Sequence, residues 1–323
     1  MFDTAILCFT ILYAITMIVA LLGNTLLIYI VWKKPATRSL TSFLFVNMAV
    51  ADLLTVTFLM PTNLVHLHGT ELTAAVGQFH CRFNYFAAFV SATASIFCLA
   101  IMAVDRYFAV VHPFRQIIWF RKAKIITPVI WISSMALMSV VPLVFHPKNG
   151  VCWFDYSVIP QLHFWIYILL LTYILPLGVI AILYSIAARK IWFHEVPLDH
   201  QASQRNQRDQ EIPKKKIIRM LVIIVVVFAV CWLPVHVYQI DNALGNPYWP
   251  IVPFLFCYWF SQANSAINPW LYIGLNGKMS AVFKRMVRCC SDKGIQQGTR
   301  GTASTKSKSK ASSSQGSLME TRL

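Results

Sequence analysis

Apolar residues in this chain do not alternate with polar ones at the spacing of a soluble core; they come in blocks. Seven blocks stand out, near 5–32, 40–66, 79–110, 125–145, 163–193, 215–241 and 250–273. Each is about 20 to 30 residues long, and about 20 apolar residues rising about 1.5 Å apiece cross a roughly 30 Å hydrocarbon layer. Lipid offers no partner to a free backbone group, so each block predicts a helix. The predicted fold class is an all-α membrane protein, a seven-transmembrane helix bundle. Polar or basic breaks separate the blocks: "WKKPATRS", "HPFRQIIWFRKAK" and a long polar stretch at 194–216. The blocks start at uneven intervals, and we see no internal repeat. The first is too long for a cleavable signal and has no basic flank before it, so it is expected to remain as a span. Only a few residues precede it, without an N-x-Ser/Thr sequon, so no large extracellular hormone domain is expected.

Composition agrees: 57% of the 323 residues are hydrophobic and 12% charged, where globular chains carry about 25% charge. Taken alone, the net charge of +16 suggests nucleic acid, but its distribution argues otherwise. With the amino terminus outside, 26 of the 28 Lys and Arg fall on the cytoplasmic side; only Arg82 and Lys148 fall outside. That asymmetry predicts amino terminus out and carboxyl terminus in, and it requires an odd number of spans. Cys81 and Cys152 both fall on the outer, oxidising side, which permits a disulfide. Cys8, Cys98, Cys231 and Cys257 sit within apolar blocks, where a thiol behaves as a small hydrophobe.

A charge in the bilayer costs roughly 2.5–3.5 kcal/mol on insertion scales. Asp52, half way through the second block, is therefore either a neutralised, hydrogen-bonded acid or an ion site. Asn24, Ser95, Asn264, Ser265 and Asn268 are mid-span candidates to partner it. Prolines at 142, 176, 234 and 269 each predict a kink. Pro234 follows Trp232, and Pro269 lies between Asn268 and Tyr272, which suggests hinges beside large aromatics. After the seventh block, Met279, Val282, Phe283, Met286 and Val287 share one face of a helix, with Lys278, Lys284, Arg285 and Arg288 elsewhere. A basic amphipathic helix over 277–290 ending in Cys289 and Cys290 suggests palmitoylation. Residues 1–290 would then form the membrane domain. The Ser/Thr/Lys-rich stretch 291–323 has too few apolar residues to fold and is expected to be a disordered cytoplasmic tail.

In order along the chain stand "GN" at 23–24, "MAVAD" at 48–52, Cys81, "DRY" at 105–107, Trp131, Cys152, Pro176, "CWLP" at 231–234 and "NPWLY" at 268–272. From about 10 to 290 the chain resembles the rhodopsin-like (class A) G-protein-coupled receptors. "DRYFAVVHPF" and "FAVCWLPVH" look most like neuropeptide receptors of the tachykinin, neuropeptide Y and neuropeptide FF group. The resemblance implies an activation switch. Arg106, restrained by Asp105 and followed by Tyr107, would open to a heterotrimeric G protein. Trp232 and Phe228 would transmit ligand contact, and Pro234 would pivot the sixth helix outward. Pro269 would hinge the seventh, with Tyr184 and Tyr272 supporting the open state. Asp52, Ser95, Asn264 and Asn268 look like the family's sodium site. The departures are Lys214, where some relatives carry an acid that also holds the arginine, Met279 in place of an aromatic, and Met48 in place of leucine. With Asp105 alone left to restrain Arg106, appreciable basal activity is expected.

Ala88 stands where amine receptors place an aspartate, and Gln262 where opsins place the retinal lysine. The expected ligand pocket comprises Thr62, Asn63, His66, Ala88, Phe89, Ala92, Trp153, His236, Gln239, Tyr258 and Gln262. It is aromatic, hydrogen-bonding and almost uncharged, which fits a peptide with an amidated or aromatic end; a neutral small molecule or lipid, and constitutive signalling, are the alternatives. His66 and His68 form an i, i+2 pair that could bind metal but reads better as interfacial polar residues. G-protein contacts are expected from 112–124, with His112, Pro113 and Phe114, and from 189–219, and arrestin and receptor kinase at the tail. An ion channel or transporter is the competing class, but such proteins often show inverted repeats or paired broken helices, and the chain has neither. No P-loop, metal-spaced cluster or nucleophile elbow points to an enzyme.

Overall fold

The computed structural model describes residues 2–68, 74–112, 122–148, 151–192, 201–246 and 250–300. The chain divides into two units, Met1–Ser280 and Ala281–Leu323. In the first, α1 (Phe2–Lys33) forms the first span. The second span is α2 (Leu40–Leu54), a π turn (Thr55–Leu59) and α3 (Met60–Leu67). The third is α4 (Ala74–Val111). The fourth is α5 (Ala123–Leu137), a 3-10 turn (Met138–Val140) and α6 (Val141–Val144). A hairpin of β1 (Phe145–Lys148) and β2 (Val151–Phe154) follows, antiparallel, with Phe145 opposite Phe154 and Pro147 opposite Cys152. The fifth span is α7 (Gln161–Leu169), a π turn (Leu170–Ile174) and α8 (Leu175–Trp192). α9 (Gln201–Ala243) and α10 (Ile251–Leu275) supply the last two, and α11 (Gly277–Arg300) follows them.

The wide turns have a cause in the sequence. Pro61 and Pro176 lie just beyond the two π turns, and a proline ring collides with the carbonyl four residues back, here at Thr57 and Thr172. A π turn opens the backbone at that point. α9 stops where Gly245 adopts a left-handed φ of 95°, a conformation that glycine takes without a Cβ penalty.

Six stretches, from Thr4–Lys33 to Lys215–Ala243, are long and apolar enough to cross a membrane. The seventh, α10, has the length at 25 residues but is more polar. Its Ser261, Gln262, Asn264, Ser265 and Asn268 are all buried, and the helix packs on α1, α2 and α9. Its polar side chains face protein rather than lipid. Conversely, Leu7, Ile11, Ile15, Ile18 and Leu22 make an exposed apolar stripe on α1, of a size that a water-soluble surface rarely carries. α4 is the axis of the bundle. Of its most apolar stretch 56% is buried, against 22% for α1, and it packs on α2, α5, α6, α8, α9 and β1.

Cys81, near the start of α4, is disulfide-bonded to Cys152 of β2, with Cα atoms 5.4 Å apart. The tie holds the hairpin over one end of the bundle. Beneath it, Val90, Met138, Val144, Phe145, Phe154, Phe164 and Trp165 form a core cluster. Between α2 and α5, the Trp131 indole donates to Asn47 Oδ1 at 2.9 Å, and Asn47 Nδ2 donates to Thr127 Oγ1 at 3.1 Å.

Two helices exceed their expected bounds. The sixth begins at Gln201 rather than near 215, because Gln, Arg, Glu and Lys are good helix formers whatever their polarity. An apolar-block criterion is blind to such an extension. In the same way α11 runs to Arg300, past the expected end at 290, through a stretch that holds no proline. Within the second unit, Val282, Phe283 and Met286 are half-buried while Lys284, Arg285 and Arg288 are exposed. Val287, assigned to the apolar face, is also exposed. Residues 301–323 and the side chains of Cys289 and Cys290 lie outside what the structure describes.

Candidate functional site

Below the hairpin, α3, α4, the fifth span, α9 and α10 enclose a cavity of about 170 Å³. Of the residues expected there, Asn63, Ala88, Phe89, Ala92, His236, Gln239, Tyr258 and Gln262 line it. Two do not. Beyond the π turn of the second span, Thr62 faces α4: its hydroxyl donates to Phe58 O at 2.6 Å and accepts from Asn84 Nδ2 at 2.8 Å. Trp153 points away because strand residues alternate. With Cys152 tied to α4 and Phe154 in the core, Trp153 is 49% exposed and meets Tyr156 edge-on. The His66 side chain lies outside the described residues. His68 is exposed, with Nε2 3.0 Å from Thr10 Oγ1; among the described residues no group of three or more metal-binding side chains occurs.

The wall is completed by Trp232, expected only to transmit ligand contact, and by residues that sequence reasoning missed: Leu59, Tyr85, Phe145, Trp165, Ile168, Thr172, Val235 and Ser261. Apart from Thr172 and Ser261, the missed residues are apolar or aromatic and look like core in the sequence, and only the packing shows that they border a void. No lining side chain is acidic, and none is Lys or Arg. Four buried polar atoms on this wall have no hydrogen-bond partner: the indole Nε1 of Trp165 and Trp232, and Oε1 of Gln239 and Gln262. Buried polar groups are normally paired, so the cavity presents two donors and two acceptors to whatever fills it.

From the cavity floor, aromatic contacts run inward. Trp232 is 6.1 Å from His236 and stacks on Phe228 at 5.8 Å between centroids. Tyr173 OH donates to the Ala229 carbonyl at 2.8 Å, beside Val230, whose carbonyl loses its usual helical partner to Pro234.

Deeper, Asp52 is buried. Asn268 Nδ2 lies 3.5 Å from its Oδ2, and the Ser265 hydroxyl also approaches the carboxylate. Asn24 Nδ2 donates to Ser265 O at 3.0 Å. Ser95 and Asn264 are buried too, but no hydrogen bond joins either to Asp52 among the described residues. Oδ1 of Asn24, Asn264 and Asn268 has no partner. A buried carboxylate with nearby unpaired amide oxygens is the donor chemistry of a hard monovalent cation, so the residues present fit sodium.

At the opposite end, Arg106 forms an ion pair with the adjacent Asp105 and donates to Thr41 Oγ1 at 3.0 Å. Thr41, on α2, was not anticipated. It gives the arginine a second restraint where the sequence offered Asp105 alone. Tyr272 stacks on Phe45 with centroids 3.8 Å apart, and its hydroxyl meets Ser42 Oγ at 2.9 Å. Tyr184 OH is buried without a partner, while Tyr107 meets His112 edge-on at 5.7 Å. Met279, in place of the family's aromatic, is fully buried. Pro113, Phe114 and the rest of 113–121 lie outside the described residues, as does the Lys214 side chain.

Fold and sites together define a seven-helix membrane protein with a recess at each end. The 7 transmembrane receptor family (rhodopsin family) matches residues 23–272, and the chain belongs to that family. It is 30% identical over 290 residues to the neuromedin-K receptor of Oryctolagus cuniculus, covering 86% of this chain and 61% of the relative. The tachykinin-like peptides receptor 86C of Drosophila melanogaster is 29% identical over 87% of this chain and 58% of its own length. The substance-P receptor of Rattus norvegicus is 28% identical over 86% and 70%. The chain thus spans about three fifths of the length of the neuromedin-K receptors it matches.

Proposed function

We propose that this chain is a plasma-membrane receptor for an extracellular neuropeptide, and that it activates a heterotrimeric G protein by outward movement of α9. The observation that carries the reading is the uncharged cavity with four unpaired polar atoms. A primary carboxamide carries N–H for glutamine oxygens and C=O for indoles, so an amidated peptide end matches the four unpaired atoms in kind. A free carboxylate would meet no cation there. The names of the relatives, receptors for neuromedin K, substance P and tachykinin-like peptides, support a peptide ligand.

The coupling follows from differential contact. A ligand seated against Trp232 bears on the segment where Pro234 has weakened α9. Release of α9 would uncover Arg106, whose guanidinium stays charged in any environment. Tyr184, which has a spare hydroxyl, and Tyr272 would then support the open state. Sodium held by Asp52, Asn268, Ser265 and the neighbouring amide oxygens would favour the closed one. Orientation follows the charge distribution: hairpin outside, Arg106 inside. Arrestin and receptor kinase at the tail, and palmitate on Cys289 and Cys290, complete the proposal.

The test is a panel of amidated neuropeptides and their free-acid forms, applied to cells with a promiscuous G-protein readout. One amidated peptide should signal and its free acid should be much weaker. Arg106→Ala should abolish the response while surface expression persists. A response confined to small neutral molecules or lipids would replace the peptide; undiminished signalling by Arg106→Ala would remove the latch.

A further inference from the structure

The Arg106 end holds a second recess, a cleft of about 420 Å³. Four cations line it: Arg38 before α2, Arg106 on α4, Lys216 on α9 and Lys278 in the first turn of α11. No acidic residue lines it. Asp105 answers one charge by pairing with Arg106. Arg38 gives Nε and Nη2 to the carbonyls of Val31 and Trp32, which leave its charge uncompensated. Lys216 and Lys278 have no carboxylate partner among the described residues.

Two further observations set the sign of the missing group. The Nε of Arg106 is buried with no hydrogen-bond partner. Two helices also begin at the cleft wall, α2 behind its cap Ser39 and α11 behind Asn276, whose Oδ1 accepts from the amides of Lys278 and Met279 at 3.1 and 3.3 Å. Helix starts carry partial positive charge, and here it adds to the cleft through the helix dipoles, because the caps Ser39 and Asn276 already accept from first-turn amides. Cations on four different segments and two helix starts therefore border one space. Like charges held together in a recess repel, and an anion between them turns that repulsion into attraction.

We propose that this cleft binds an anion carrying phosphate monoesters, which bridges Arg106 on α4 to Lys216 on α9. Phosphate matches the forked donors of arginine and the point charges of lysine. The bridge supplies from outside the chain the negative charge that the Lys214–Lys216 run of α9 lacks. By tying α9 to α4, the bound anion stabilises the arrangement seen here by mass action. Binding stands on the cleft alone, whereas its effect in restraining α9 rests on the receptor reading.

Two sources offer this chemistry, a phosphoinositide headgroup in the inner leaflet and a soluble inositol phosphate. The full chain, purified into phosphatidylcholine nanodiscs, is unfolded thermally in the presence of increasing inositol trisphosphate. A parallel series uses nanodiscs containing phosphatidylinositol bisphosphate. A saturable rise in Tm is expected in at least one arm, and the responding arm identifies the source. In Lys216→Gln/Lys278→Gln the apparent Kd should rise at least about ten-fold, the equivalent of one lost charged contact. Lys284→Gln/Arg288→Gln, exposed cations that do not line the cleft, should respond like the parent. Should the double variant not fold, Lys216→Glu supplies a fixed negative charge at the same place; it should keep the parent's resting Tm and lose the response. No saturable rise in either arm, or an unchanged Kd in the cleft variants, overturns the proposal. Neither agonist nor G protein is needed, so this result and that of the peptide panel are read independently.

Discussion

Replacing Gly23 by alanine should destabilise the bundle, although alanine is the better helix former. A Cβ at Gly23 would lie 2.7 Å from Pro269 Cγ, 2.8 Å from Trp270 Nε1 and 3.0 Å from Trp270 Cε2. Carbon atoms pack at about 3.5–4.0 Å, so α1 and α10 would have to part by about 1 Å at this crossing. The proline ring is rigid and cannot swing aside. Overpacking of this kind costs about 1–3 kcal/mol, against a gain of about 1 kcal/mol from leaving glycine in a helix interior. The separation would also stretch the nearby bond from Asn24 to Ser265 O. Gly178 provides the matched control, since a Cβ there meets nothing within 4 Å. Gly178→Ala should show the propensity gain alone, so the difference between the two variants isolates the packing penalty. Thermal unfolding of both proteins in the same detergent measures it. If Gly23→Ala proves as stable as Gly178→Ala, the close approach of α1 to α10 is refuted.

Trp131→Phe should lose about 1–3 kcal/mol, because Asn47 Oδ1 is left buried without its indole donor; Asn47→Leu in the same background should recover part of it, as a double-mutant cycle would show. Reducing agent should lower the Tm of the parent but not of Cys81→Ser/Cys152→Ser. The 71-residue separation of the two cysteines sets an upper limit of about 4 kcal/mol on the chain-entropy scale. Asp155, after the hairpin, accepts from the Ser157 hydroxyl and amide at 2.6 and 2.9 Å. These bonds, with a smaller contribution from nearby His146, hold its carboxyl below the usual carboxylate range. A lowered folded pKa means that the turn's contribution is complete above the unfolded value of about 3.9. It is lost as pH falls through the folded pKa, so the protection factor of the Ser157 amide, its exchange rate referred to the unstructured rate at each pH, should hold at neutral pH and fall only in acid.

Much of this was legible in the sequence because lipid leaves a chain few options. Apolar blocks gave the spans, and Pro142 and Pro176 marked two of the distortions; Pro234 and Pro269 lie within helices that run on unbroken, and Pro61, beside the other π turn, had not been singled out. Asp52 announced itself by its cost, and it does sit among buried amides. Legibility fell where direction mattered more than identity. Thr62 and Asn63 are adjacent polar residues, yet one faces α4 and the other the cavity, which residue type does not reveal. Trp153 looked like a pocket aromatic until strand alternation turned it outward. Thr41 as a partner for Arg106 depends on where α2 starts relative to α4, a distance that a linear pattern does not carry. The ends of α9 and α11 were missed because hydropathy reports contact with lipid, and these extensions are polar.

The two π turns can serve as adjustable joints. An added residue in a helix would ordinarily rotate everything beyond it by about 100°, and a five-residue turn is a way of absorbing such a step. Thr172 lies inside one such turn and also on the cavity wall; Asn63 lies just past the other. Lengthening or shortening either turn by a single residue would dial a different set of side chains into view without altering any of them. Relatives could thus come to prefer different messengers through an insertion or deletion at a joint, and a comparison of wall residues alone would overlook it.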